Sequence, residues 1–205
     1  MGTAPTDHTT EIIAKWLGCG SINIFGMQLS GKDTQAQLLA EMFGGAVIGG
    51  GDILRNSIIP ERSQLALAKG DLVPTEDYIS IVLPYLSKSE FADKPLFLSA
   101  VGRWLGEEQN VLAATEAAHH PIKAVLYLTL EKKVALERLA LAQRQRDDDH
   151  HENVVRRIEE FENKTLPVLD VYRSRGLLIE VDGKQEPKAV LQDILDRLYE
   201  RAHGS

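Results

Sequence analysis

A chain of 205 residues, 43% hydrophobic and 26% charged, carries enough apolar material for one full-sized core. Its 23 Lys and Arg against 30 Asp and Glu leave a formal charge of -7, which argues against nucleic-acid binding through bulk positive charge and confines any phosphate contact to a local site. The single cysteine, Cys19, excludes an internal disulfide and a cysteine-built zinc site, and no apolar run approaches the roughly 18 residues of a membrane span.

The start, Met1 to Thr10, is polar and does not read as a secretory signal, so the expectation is a cytoplasmic domain with no membrane or nucleic-acid partner. Thr9 or Thr10 is placed to cap a short helix through Glu11 to Leu17, an appendage stopped by Gly18 and Gly20. Ser21-Ile22-Asn23-Ile24-Phe25 is β-branched and bounded by glycine, the pattern of a buried strand. From Gly31 to Phe43 the apolar spacing turns helical, with Ala36, Leu38, Leu39 and Met42 on one side, and Gly44-Gly45 ends it. Further apolar runs at Ala46 to Ile48, Pro95 to Val101, Ile122 to Leu130 and Leu177 to Val181 alternate with helical stretches. This predicts a doubly wound α/β fold with five parallel strands and helices on both faces. The helical stretch Asp52 to Lys94 exceeds what a crossover needs, so part of it is expected to form an inserted lobe. The charged run Arg144 to His151 separates two helical stretches and reads as a surface loop.

Gly26-Met27-Gln28-Leu29-Ser30-Gly31-Lys32 lies between the first predicted strand and the first core helix. A G-x-x-x-x-G-K loop there turns successive backbone N–H groups onto phosphate oxygens, with the helix dipole behind them. Lys32 supplies a point charge near the outer phosphates, and Thr34 offers a hydroxyl to magnesium or phosphate. The strict pattern wants Ser or Thr directly after the lysine, where this chain has Asp33. His119-His120 and His150-His151 are adjacent pairs whose side chains point apart and lack partners at metal-ligand spacing, so they are expected to be solvated. Trp16 and Trp104 are expected to pack rather than to stack on a base.

Through Gly31-Lys32-Asp33-Thr34-Gln35, which is similar to G-K-G-T-Q, the sequence resembles the adenylate kinase and nucleoside monophosphate kinase family. The resemblance continues in order along nearly the whole chain. Gly51-Asp52-Ile53-Leu54-Arg55 looks like the G-D-x-L-R that opens the family's monophosphate-binding lobe, its arginine holding the acceptor phosphate. Lys69-Gly70-Asp71-Leu72-Val73-Pro74 looks like K-G-x-L-V-P, whose backbone lines the acceptor base, and Gly102-Arg103 falls where the family has the end of D-G-F-P-R. Arg138-Leu139 leads to the lid, Arg146-x-Asp148-Asp149 with Arg157 resembles the lid's R-x-D-D and following arginine, and Val181-Asp182-Gly183 closes the last strand. The family match implies a phosphate-loop kinase that moves the terminal phosphoryl of ATP, with Mg2+, to a nucleoside monophosphate, most readily AMP, as a monomer. It implies a monophosphate-binding lobe at about 50–85 and a short, zinc-free lid at about 144–151 within a kinase domain spanning 21–203, preceded by an extension over 1–20. Catalysis would fall to Lys32, Arg103, Arg146 and Arg157. Donor binding would fall to Gly26, Ser30, Gly31, Lys32, Asp33, Thr34, Arg138 and Gly183, with Asp33 and Thr34 meeting the metal through water. Acceptor binding would use Gly51, Asp52, Arg55, Leu72, Val73, Gly102, Arg103, Gln109, Arg146 and Arg157.

Several positions depart from the family pattern. Ser99 stands where D-G-F-P-R begins, an aspartate that helps organise hydrated magnesium, while Asp33 adds an acid in the phosphate loop. Gln28 and Leu29 replace a proline and a glycine of that loop. The family's base-reading glutamine lies four residues after the arginine, where this chain has Glu107, with Gln109 two residues further on, and Gly50 replaces a threonine near the adenine. The alternatives are a kinase for UMP, CMP or another small acceptor, and a catalytically weak nucleotide-binding regulator.

Overall fold

In the computed structural model, which describes residues 7–141 and 151–204, β1 (Ser21–Phe25) is buried along its whole length because a strand pairs with each of its edges and a core covers each of its faces. β3 (Leu96–Ser99) runs parallel on one side with Ile22 opposite Phe97, and β4 (Ile122–Thr129) on the other with Ile22 opposite Ala124. β2 (Ala46–Gly49) and β5 (Leu178–Asp182) complete an all-parallel sheet in the order β2-β3-β1-β4-β5. Strand order reverses around β1, which opens a crevice at the carboxyl ends of the strands where an α/β sheet receives ligands.

Each strand feeds two cores because successive side chains leave opposite faces. Ile22, Ile24, Phe97, Leu126 and Val181 pack with α1 (Asp7–Leu17), α2 (Lys32–Phe43) and α10 (Pro187–His203). Phe25, Leu96, Leu98 and Val125 face the other way, with Val111 of α6 (Glu107–Ala117), Val154 and Ile158 of α8 (His151–Glu160) and Tyr172 of α9 (Leu166–Ser174). α7 (Lys132–Leu141) adds Ala135 to this second core, and one π-helical turn, Phe161–Thr165, joins α8 to α9. Among the described residues, no helix is long and apolar enough to cross a membrane.

The five predicted strands are all present, and two helical details differ. α1 starts at Asp7, so Thr9 and Thr10 lie inside it instead of capping it. Met42 is 37% exposed, and Gln35 and Ala40 take part in the buried face of α2. Gln35 is tolerated there because its amide donates to the carbonyl of Pro187 at 2.9 Å.

The segment between β2 and β3 is helical, as its composition predicts: α3 (Gly50–Arg55), α4 (Glu61–Lys69), α5 (Thr75–Val82) and two 3-10 turns. α4 and α5 are joined by one acid. Asp77 accepts from Arg62 Nε at 2.8 Å, from Arg62 Nη2 at 2.6 Å and from the Ser63 hydroxyl at 2.5 Å. The bonds from Arg62 and then Ser63 hold the Asp77 carboxyl below its ordinary pKa. The turn between the two helices, residues 70–74, is thereby fixed at the edge of the crevice. Most of the charged run after α7 lies outside the described residues, and α8 begins at its last residue, His151.

Candidate active site

The phosphate loop leaves β1 through two left-handed residues, Leu29 at φ +67° and Gly31 at φ +91°, before α2 begins at Lys32. A leucine in that conformation costs roughly 1–2 kcal/mol. Two contacts offset the strain: the side chain of Leu29 packs on the second core, and its carbonyl accepts from Arg138 Nη1 at 3.0 Å. Gly26 is required at the start of the loop, since a Cβ there would collide with the Ser30 hydroxyl and stand 3.2 Å from the Leu128 carbonyl. Ser30 is 2% exposed, and its hydroxyl has no hydrogen-bond partner among the described residues. Gln28 to Thr34 line a small concavity of their own, with Thr34 exposed at its rim on the first turn of α2.

Lys32 is only 17% exposed in its side chain and pairs with Asp33 at 2.8 Å. The second carboxylate oxygen of Asp33 accepts from the Ser99 hydroxyl at 2.5 Å. The acid at 33 therefore reaches the carboxyl end of β3, where the family pattern carries its aspartate. Acid, lysine and the exposed hydroxyl of Thr34 form a set of oxygen donors and a cation at the mouth of the loop, which suits a hydrated divalent ion held mainly by phosphate and water. Among the described residues, no cluster of three or more His, Cys, Asp or Glu is able to cage a metal by itself.

From Lys32 a cleft of about 250 Å³ extends toward the helical segment after β2. Lys32, Asp33, Gly51, Asp52, Arg55, Leu72, Val73, Arg103 and Arg157 all line it, so donor-loop and acceptor candidates face one space. Arg55 bonds Asp52 one turn earlier at 2.6 Å and remains 44% exposed. Arg157 comes from α8 and lies against the turn at Gly70, where a Cβ would meet its Cγ at 3.5 Å. Its neighbour Arg156 makes a forked pair with Asp71, one bond being 2.9 Å, so α8 and the 70–74 turn are held together.

The loop after β3 is held amide by amide. The buried Asn23 side chain donates to the Val101 carbonyl at 2.7 Å and accepts its N–H at 3.1 Å. Gly102 donates to the Tyr78 hydroxyl at 3.1 Å, and Arg103 and Trp104 donate to one oxygen of Glu107 at 2.8 and 3.0 Å. The Gly106 N–H goes to Glu108 at 2.6 Å. Burial lowers the pKa of Arg103 and raises that of Glu107. Arg103 Nε is buried without a partner among the described residues, a donor left for an anion. Asn23, Tyr78 and Glu107 were not among the sequence candidates for binding; Asn23 had a visible signal as the one amide inside an apolar strand, and Glu107 one in its place four residues after Arg103.

Other candidates fall away from the cleft. Gln109 is exposed on α6 and does not line the cleft, while Glu107 does, because two residues along a helix turn the side chain by about 200°. Gly102 is buried behind the cleft wall at φ +78°, where a Cβ would meet Val111 at 2.7 Å. Arg138 is half-buried and bonds the carbonyls of Leu29, Gly183 at 2.9 Å and Lys184 at 3.1 Å; it ties the phosphate loop to the loop after β5. Gly183 allows that approach, since a Cβ would stand 3.2 Å from the Ser30 carbonyl. Arg146, Asp148 and Asp149 lie outside the described residues. Trp104 lines the cleft, its indole N–H on the Val73 carbonyl at 3.3 Å and Lys164 over its ring at 4.2 Å, so it is a wall and not core packing. His120 is buried against the Cys19 carbonyl at 2.7 Å, contrary to the expectation of a solvated pair, whereas His119 is exposed.

A parallel sheet with a glycine-lysine loop at its crevice and arginines gathered opposite defines a phosphate-loop phosphotransferase. Residues 24–177 match the adenylate kinase family model. The chain is 33% identical over 174 residues to an adenylate kinase of Prochlorococcus marinus, covering 82% of this chain and 91% of that protein. It is 33% identical over 180 residues to adenylate kinase 2 of a Nostoc species, covering 85% and 96%, and 34% identical over 168 residues to an adenylate kinase of Bifidobacterium longum, covering 78% and 89%. The chain belongs to the adenylate kinase family.

Proposed function

We propose that the protein transfers the terminal phosphoryl group of ATP to AMP, giving two ADP, in the cleft between the phosphate loop and the helices after β2. The observation that carries this reading is the convergence of Lys32, Arg55, Arg103 and Arg157, from four separate segments, on one cleft of an otherwise acidic protein. Bringing two nucleotides' phosphates together needs cations from several directions, and the planar fork of arginine suits phosphate oxygens.

The N–H groups of the loop from Gly26 to Gly31, with Lys32, hold the donor phosphates, and the buried Ser30 hydroxyl is a further group they can satisfy. Arg55 and Arg103 hold the acceptor phosphate, and Leu72, Val73 and Trp104 form the wall for its base. Arg157 and Arg146 neutralise charge as the lid at about 144–151 closes and excludes water. Arg138 keeps the loop in shape through its three carbonyls. Asp33 and Thr34 are the residues that would hold Mg2+ through water, and the ion when bound would draw charge off the phosphates. No covalent enzyme intermediate is needed. The protein acts as a monomer in the cytoplasm, with the segment 50–85 as the acceptor lobe and 1–20 as an extension, of which helix α1 packs on α10.

A coupled turnover assay with ATP and a panel of AMP, UMP and CMP tests this. AMP is expected to give the highest kcat/KM. A higher value for UMP or CMP overturns the acceptor assignment, and absence of turnover with every monophosphate overturns phosphoryl transfer in favour of nucleotide binding alone.

A further inference from the structure

Gly50, the first residue of α3, is buried directly against the ring of Tyr78 on α5. A Cβ on Gly50 would lie 2.6 Å from the Tyr78 hydroxyl oxygen, 3.1 Å from Cε2 and 3.2 Å from Cζ, so only glycine leaves room for this ring. Tyr78 is 8% exposed, lines the cleft, and its hydroxyl accepts the N–H of Gly102 at 3.1 Å. Gly102 immediately precedes Arg103, whose own N–H is taken by Glu107 at 2.8 Å. Two side chains from different elements thus fix consecutive amides at the base of the arginine. A backbone held at both points loses little further freedom when an anion arrives, and a charge placed in advance binds better than one that must be ordered.

We infer that Tyr78, in the space left by Gly50, is a positioning residue that sets Arg103 for the acceptor phosphate. Gly50 carries no side chain, and Tyr78 from α5 reaches over it to the β3 loop. α3, α5 and that loop become one unit, so the helix bearing Arg55 and the loop bearing Arg103 keep a fixed separation. The inference rests on the reading that Arg103 holds the acceptor phosphate.

Tyr78→Phe keeps the ring and removes the acceptor of the Gly102 N–H; Gly50→Ala keeps the hydroxyl and displaces it. Each is expected to raise the KM for AMP about tenfold while leaving the KM for ATP within about twofold, the pattern of lost acceptor binding. In ¹H–¹⁵N spectra of the Tyr78→Phe protein, the Gly102 amide proton is expected to move upfield as its hydrogen bond is lost. The double variant is expected to be no worse than the worse single one, since both changes act on one contact. An unchanged KM for AMP in Tyr78→Phe, equal changes for both substrates, or additive effects in the double variant would overturn the inference. Arg103→Ala separates the two levels. If it leaves the KM for AMP unchanged, the site reading fails; if it raises that KM and Tyr78→Phe does not, only the positioning role fails. Should Gly50→Ala fail to fold, Tyr78→Phe decides alone.

Discussion

The Ser99 hydroxyl donates to the Asp33 carboxylate at 2.5 Å, so the end of β3 and the first turn of α2 share a single acid. The same carboxylate pairs with Lys32 at 2.8 Å. From sequence comparison, an aspartate missing at 99 and an added acid at 33 already suggest that Asp33 substitutes in part for the missing carboxylate, or else repels phosphate. The two positions meet, because parallel neighbours put the end of β3 beside the loop that follows β1.

Asp33→Gly, although it restores the family's residue in the loop, is therefore expected to lower turnover and to raise the magnesium concentration needed for half-maximal rate. Ser99→Asp added to it is expected to recover both, since the carboxylate returns to the same place from the strand side. Magnesium titrations at saturating ATP on the parent, the single variants and the double variant check this. A faster Asp33→Gly enzyme with an unaltered magnesium dependence would show that Asp33 only repels phosphate.

Lys32→Ala removes the one cation at the start of α2, where charge develops during transfer. Turnover is expected to fall by at least about two orders of magnitude, as when a preorganised charge stabiliser is lost elsewhere. Folding should be nearly unaffected, because the lysine contacts Asp33 and contributes nothing to either apolar core. Near-normal turnover in a folded variant would remove the phosphate-loop assignment.

Arg55→Ala tests the division of the cleft. Arg55 is half-exposed on a short helix that faces the acceptor end, so its loss should raise the KM for AMP roughly ten- to a hundredfold, the worth of a charged hydrogen bond, and leave the KM for ATP nearly unchanged. Equal effects on both substrates in steady-state kinetics would place Arg55 outside the acceptor site.

β1, β2 and β5 were legible because short runs rich in β-branched residues between glycines have few other uses, β3 and β4 as apolar runs that follow Pro95 and Pro121, and Gly26 to Lys32 because its spacing is tied to backbone chemistry. What stayed hidden depends on contacts distant in sequence. Nothing near Tyr78 announces that its hydroxyl meets Gly102, 24 residues away, since the meeting depends on the space above Gly50. Gln109 was favoured over Glu107 by residue type, but helical phase decides which of them faces the cleft. Arg138 shows a third kind of gap: an arginine near phosphates suggests an anion partner, and nothing in the sequence shows that three of its five N–H donors go to carbonyls.

The clasp between α4 and α5 gives a pH-dependent prediction. Asp77 is buried between Arg62 and Ser63, and bonds from both hold its carboxyl below the ordinary value of 3.8. The folded state thus favours the ionised acid more than the unfolded chain does, and the resulting stabilisation is complete above the unfolded pKa. It is lost as the pH falls below 3.8 and through the lower folded value. Asp77→Asn keeps the shape and removes the charge, so at neutral pH its melting temperature is expected to lie below the parent's, leaving Arg62 with Glu76 at 3.2 Å. As the parent is acidified below about pH 4 the two melting temperatures should converge, because the parent then loses the same charge. Because the clasp anchors the turn carrying Leu72 and Val73, the variant should also bind AMP more weakly at neutral pH. Thermal melts from pH 7 to pH 3 decide the matter: a gap that stays constant across that range would mean that Asp77 acts through packing and not through its charge.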